Sequence, residues 1–197
     1  MRPASQKPHV DHPSPTNPPR RRKRYMNITV YCGSNRGINP RFADAASELG
    51  TWITENGHTL VYGGSSVGLM GALSRATLDA GGEVHGVEPG FFVEAGVAQH
   101  DLTELHVVDT MSERKAKMVE LGNAFVALPG GVGTLEEASE ILARIRLGFD
   151  PAECFLLNID GFYDPPPSKR FSTPCLRKDP SRKPTSTDST FLETSRN

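Results

Sequence analysis

Residues 128–142 read LPGGVGTLEEASEIL, with Pro129, Gly130, Gly131, Val132, Gly133 and Thr134 at the mouth of a helical pattern and Glu136 and Glu137 directly behind. A glycine-rich turn that opens a helix presents backbone N–H groups and the positive end of the helix dipole, which suits an anion such as a phosphate. The run matches neither common phosphate-binding fingerprint: it has no P-loop Lys, and Glu136 stands where a dinucleotide loop has its third Gly. Thr134 and Glu137 also have capping-box spacing, in which the hydroxyl takes the N3 amide and the carboxylate takes the cap amide. Glu137 therefore has two readings, helix cap or reactive carboxylate. Glu136 is expected to face solvent or the helix's own first turn.

Two more glycine-rich turns follow strand-like runs: CGSNRG (32–37), with Gly33 and Ser34, and YGGSSVGLMG (62–71), with Gly63, Gly64 and Met70. Glycine lets a backbone approach a ligand closely. Three such turns on one edge of a sheet would make a crevice lined with N–H groups. MSERKAKM (111–118) places Arg114 and Lys115 at a helix start, where basic groups oppose the dipole unless an anion lies near. A solvated face is the plainer reading of that pair. Only eight basic residues lie in 25–164, which makes it more noticeable.

Alternating elements position these turns. NITVYCG, HTLVYGG, EVHGVEP, ELHVVD, NAFVALPGG and CFLLNID read as strands. The helical patterns between them are NPRFADAASELGTWITENG, GLMGALSRATLDAGG, MSERKAKMVELG and TLEEASEILARIRLG. In the first helix Asn39 can cap, Pro40 suits the first position, and Phe42, Ala45, Ala46, Leu49, Trp52 and Ile53 form one apolar stripe. Trp52 is expected in the core. Near-continuous apolar strands alternating with helices indicate an α/β, Rossmann-like parallel sheet with helices on both faces. Ligands in such sheets bind beyond the carboxyl ends of the strands.

Composition divides the chain in three. The ends hold twelve of the sixteen prolines, while all nineteen glycines and nineteen of the twenty-three acidic residues lie in the middle. Residues 1–25 read as a disordered basic extension ahead of a natural-looking start at Met26, 26–164 as the folded domain, and 165–197 as a divergent, disordered tail. RRRKR (20–24) has no interleaved aromatics and an acidic domain behind it, so no nucleic-acid partner is expected. Cys32, Cys154 and Cys175 match no metal or disulfide pattern, which suits a reducing cytosol. The six His form no metal-binding pair, and no apolar run is long enough for a membrane span.

CGSNRG, LVYGGSSVGLMG, MSERKAKM and ALPGGVGTLEE, taken as a set in this order, resemble the LOG (Lonely Guy) family. These proteins are cytokinin riboside 5′-monophosphate phosphoribohydrolases, often labelled lysine decarboxylase-like. Their PGGxGTxxE motif is met by Pro129, Gly130, Gly131, Gly133, Thr134 and Glu137, and the likeness covers about residues 26–164. The resemblance implies hydrolysis of the N-glycosidic bond of a nucleoside 5′-monophosphate. It implies Arg114 and Glu137 as catalytic residues, the glycine loop and Thr134 on the phosphate, a homodimer with active sites near the subunit contact, and no metal or organic cofactor. A Schiff-base decarboxylase is not expected, because residues 26–164 hold only Lys115 and Lys117, neither within a further motif. A broader nucleotide nucleosidase and a non-cleaving carrier of a phosphorylated ligand are the rival readings.

Two departures stand out. Where the family usually has Trp-Ala-Gln-Leu-Gly, this chain carries Ile145 and Arg146, so pairing or base preference is expected to differ. The likeness stops at GFYDP, after which Pro165, Pro166 and Pro167 would end any helix. A frameshift or divergent terminus would explain this, leaving one face of the last strand short of cover.

Overall fold

The computed structural model describes residues 25–150, 152–164 and 190–192. Most of the two proline-rich ends, with the expectations about them, lies outside the described residues. The strands are β1 (Asn27–Tyr31), β2 (Thr59–Tyr62), β3 (Val84–Pro89), β4 (Glu104–Val108), β5 (Ala124–Ala127), β6 (Glu153–Leu157) and β7 (Thr190–Leu192). The helices are α1 (Pro40–Glu55), α2 (Gly68–Asp79), α3 (Gly90–Glu94), α4 (Met111–Leu121) and α5 (Val132–Arg146), with a 3-10 turn at Ile159–Gly161. The short β7, from the stretch read as tail, pairs with β6.

All strands are parallel, in the order β4-β3-β2-β1-β5-β6-β7. Alternate residues of the inner strands feed two cores. Ile28, Val30, Leu60 and Val84 pack with Ile53 and Leu73 of α1 and α2 on one face. Tyr31, Phe125 and Ala127 pack with Met118 of α4 and Ile141 and Ile145 of α5 on the other. This is the doubly covered α/β sheet that the strand composition implies. On β6, Cys154 and Leu156 are buried, while Phe155 and Leu157 on the other face are only partly so.

Of the expected stripe of α1, Phe42, Ala45, Ala46, Leu49 and Ile53 lie in the core or pack against it, and Trp52 alone departs. Asn39 caps the helix, accepting from the Arg41 amide at 3.0 Å, and Pro40 opens it as read. Its buried residues are Ala46, Gly50 and Ile53, however, and Trp52 is 49% exposed with its ring tilted against His58. The reason is Gly50. A β-carbon there would meet the Leu73 carbonyl oxygen and lie 2.8 Å from Thr77 Oγ1, so α1 and α2 touch backbone to backbone along that line. Trp52 lies off the contact line.

α5 starts two residues before its expected cap. Its N-cap is the extended Gly131, with no side-chain cap bond, and Thr134 already sits in the first turn. The capping box read for Thr134 and Glu137 is therefore not formed. A capping box does occur on α4, where Thr110 Oγ1 accepts from the Glu113 amide at 3.1 Å and Glu113 Oε2 accepts from the Thr110 amide at 3.1 Å.

Candidate functional site

The chain runs outward from β1 to β4, then returns to place β5 on the other side of β1. The turns leaving β1 and β5 flank this switch point, where open α/β sheets bind ligands. They are tied together by the Gly33 amide, which donates to Pro129 O at 3.2 Å, and the Leu128 amide, which donates to Tyr31 O at 2.9 Å. A cavity of about 720 Å³ opens here, within the usual range for small-molecule sites. Every site residue named from the sequence lines it except Gly63, Gly64 and Gly130.

Those three glycines make room for side chains. A β-carbon on Gly63 would overlap Arg114 Nη2 and lie 2.8 Å from Met70 Sδ. One on Gly64, whose φ is +84°, would lie 2.7 Å from Glu88 Oε2. One on Gly130 would collide with the buried Thr134 side chain.

Arg114 is buried at 7% exposure and bonds to three elements at once. Nε donates to Val87 O of β3 at 3.0 Å, Nη2 to Gly63 O after β2 at 3.3 Å, and Nη1 to Glu137 Oε1 of α5 at 2.7 Å. Of the five guanidinium N–H groups, two remain for a ligand. Burial pushes the Glu137 carboxyl above its ordinary value, and the charge and hydrogen bond of Arg114 pull it back. Glu137 thus belongs to a buried ion pair on the cavity wall, and the uncapped first turn of α5 opens beside it.

Lys115 pairs with Glu136 and, at 3.0 Å, with Glu140. Glu136, read as facing solvent, is half-exposed but joins this bridge between α4 and α5. The hydrogen bonds from Lys115 to Glu136 and Glu140 push the lysine's pKa up.

Several lining residues escaped the sequence reading. Phe92 and Val97 come from α3 and the loop after it, a stretch with no expected element. That loop is clamped to the β2 turn: the Ser66 amide donates to Val97 O at 2.8 Å and the Gln99 amide to Gly64 O at 2.9 Å. Glu88, at the end of β3, also lines the cavity while only 3% exposed. Its one sequence signal is an acid near the end of a buried strand whose only other polar residue is His85. Away from the cavity, His85, Glu104 and His106 bring ligand atoms within 4.8 Å of one another, so two histidines do meet across β3 and β4 despite their unremarkable spacing. Glu104 Oε1 lies 3.5 Å from His106 Nδ1 and Glu104 Oε2 lies 3.8 Å from His85 Nδ1, a group able to ion-pair or hold a cation.

A family profile described as "Possible lysine decarboxylase" matches residues 70–167. The chain is 49% identical over 140 residues to the cytokinin riboside 5′-monophosphate phosphoribohydrolase of Rhodococcoides fascians, covering 71% of each chain. It is 48% identical over 145 residues to the corresponding LOG protein of Oryza sativa subsp. japonica, spanning 74% of this chain and 60% of that relative's length. Among solved structures, the Moco carrier protein of Chlamydomonas reinhardtii superposes with a TM-score of 0.55 at 26% identity, covering 66% of this chain and 76% of that one.

Proposed function

We propose that this chain, which belongs to the LOG family of cytokinin riboside 5′-monophosphate phosphoribohydrolases, hydrolyses the N-glycosidic bond of a nucleoside 5′-monophosphate to free base and ribose 5-phosphate. The observation that carries the reading is the buried Arg114–Glu137 pair on the wall of a cavity that also receives the uncapped N-terminus of α5. The 5′-phosphate sits against the amides of Gly131, Val132, Gly133 and Thr134, with Gly33 and Ser34 across the crevice. That remote grip holds the sugar–base link in place. As the link breaks, positive charge grows on C1′ and negative charge on the base. Glu137 faces the sugar, stabilising the cation and orienting water. Arg114 fixes Glu137 and offers its remaining N–H groups to the substrate. These residues supply the charge and proton chemistry that the step requires. Buried, unpaired Cys32 and Cys154 fit the cytosol we assign to the protein, and no helix among the described residues is long and apolar enough to cross a membrane.

A pyridoxal-dependent decarboxylase does not fit the described residues. A Schiff-base Lys works through a lowered pKa, whereas the partners of Lys115 raise it, and Lys117 is paired with Glu120 at 3.1 Å. The likeness in fold to a Moco carrier protein favours one alternative, a module that holds a phosphorylated ligand without cleaving it.

Incubation with AMP and N6-isopentenyl-AMP, with assay of free base, separates the readings. We expect release, faster from the N6-substituted nucleotide. Glu137→Ala is expected to abolish release while leaving nucleotide binding partly intact. Normal turnover with only a lower melting temperature would make Glu137 structural. Binding by the wild type without release would favour the carrier.

A further inference from the structure

Glu88 is a second carboxyl of the cavity, treated differently from Glu137. It ends β3, is 3% exposed and lines the cavity together with Arg114 and Glu137. Its Oε2 is buried with no hydrogen-bond partner among the described residues. The hydrogen bonds of Arg114 go to Val87, Gly63 and Glu137, and none reaches Glu88. Leaving a buried ionised carboxylate unpaired is costly, and neutralisation is the usual relief. The fold nonetheless makes a place for this group, since Gly64 at φ +84° leaves the space that Glu88 fills. Burial pushes its carboxyl up to about 7, against the opposing charge of Arg114. Phe92 and Val97 wall the same cavity with apolar surface.

We propose that Glu88 is a second catalytic residue, the acid that protonates the departing base. This rests on the hydrolase reading above. The C1′–N bond breaks with its electron pair on the base, and the carboxyl proton of Glu88 passes to a ring nitrogen of that base. Water bonds to C1′ through oxygen and gives a proton to the Glu137 carboxylate. Exchange with solvent then moves one proton from Glu137 back to Glu88, so base and ribose 5-phosphate leave in balance. Two carboxyls in different surroundings divide acid and base work, as two-carboxylate sites do. The groups that face Glu88 are Arg114 of α4 and Tyr62 of β2, with Glu137 and Lys115 on the same cavity.

The test compares full-length wild type and Glu88→Gln on AMP and on p-nitrophenyl ribofuranoside 5-phosphate, whose leaving group departs without a proton. Glu88→Gln is expected to lose about 10²-fold or more in kcat on AMP, within the span of general acid catalysis, and to stay within a few-fold of wild type on the nitrophenyl substrate. Wild-type kcat/KM on AMP should fall as pH rises through about 7, and the variant should lack that limb. Equal loss on both substrates would make Glu88 structural and overturn the proposal. Unchanged turnover of AMP by the variant, with an active wild type, would overturn it and leave the hydrolase reading intact. A wild type that releases no base from any nucleoside monophosphate would remove both.

Discussion

Arg114 joins three elements through one planar fork, and a lysine ammonium cannot copy that geometry. Arg114→Lys should therefore lower base release by about 10²-fold, as loss of a preorganised donor does, despite keeping the charge. Steady-state kinetics on the N6-substituted nucleotide checks this. Wild-type turnover by the variant would place the guanidinium outside the chemistry. Glu88 adds a consequence for stability. Its folded carboxyl titrates near 7, above the ordinary value of 4.5, so between those values the folded state holds more protons than the unfolded one. Stability from this group is present at low pH and is lost as pH rises through about 7. Glu88→Gln should thus gain in melting temperature relative to wild type as pH is raised across that window. A pH-independent difference between the two would contradict the raised titration.

At the scale of elements, glycines decide how closely the parts meet. Gly50 lets α1 lie against α2, and Gly63 lets the guanidinium of α4 reach the β2 turn. Gly50→Ala would drive a methyl into the Leu73 carbonyl oxygen, a backbone atom that cannot swing aside. Overpacking of this kind costs about 1–3 kcal/mol, so urea denaturation should show a lower midpoint with an unchanged slope. The two bridges between α4 and α5 lie side by side. Arg114–Glu137 is buried and faces the cavity, and Lys115 with Glu136 and Glu140 forms the more exposed one. Breaking the exposed set should cost little, because solvent screens it.

At the scale of the molecule, apolar surface gathers on the outside of α5 and its flanks. Val132 is 84% exposed and Leu135 47%, and Leu147 and Phe149 beyond the other end of the helix are also open to solvent. Val132 lines the cavity as well, so a second copy laid on this face would close the site's rim. We propose that this face pairs two copies, the homodimer that the family resemblance implies. Leu135→Glu should shift sedimentation velocity from dimer to monomer and weaken nucleotide binding. A wild type that sediments as a monomer at all concentrations would refute the arrangement.

Much of this architecture was legible in the residues alone. Apolar strands alternating with capped helices specify a two-sided parallel sheet, since both patterns are local, and the loop from Pro129 to Thr134 marks a helix mouth by composition. Arg114 and Glu137 stand out as candidates by type and by family likeness. What Glu137 does was not legible, because the choice between cap and reactive carboxylate turns on where α5 begins, and the extended Gly131 moves the cap three residues upstream of Thr134. Trp52 was misplaced for a similar reason, since the buried stripe of α1 is set by where α2 touches it. The duty of Gly63 and Gly64 and the presence of Glu88 in the site depend on contacts between residues far apart in the chain. Periodicity reports which side of an element is apolar. Only packing decides which neighbour fills the space a missing side chain leaves, and so which charges end up buried together.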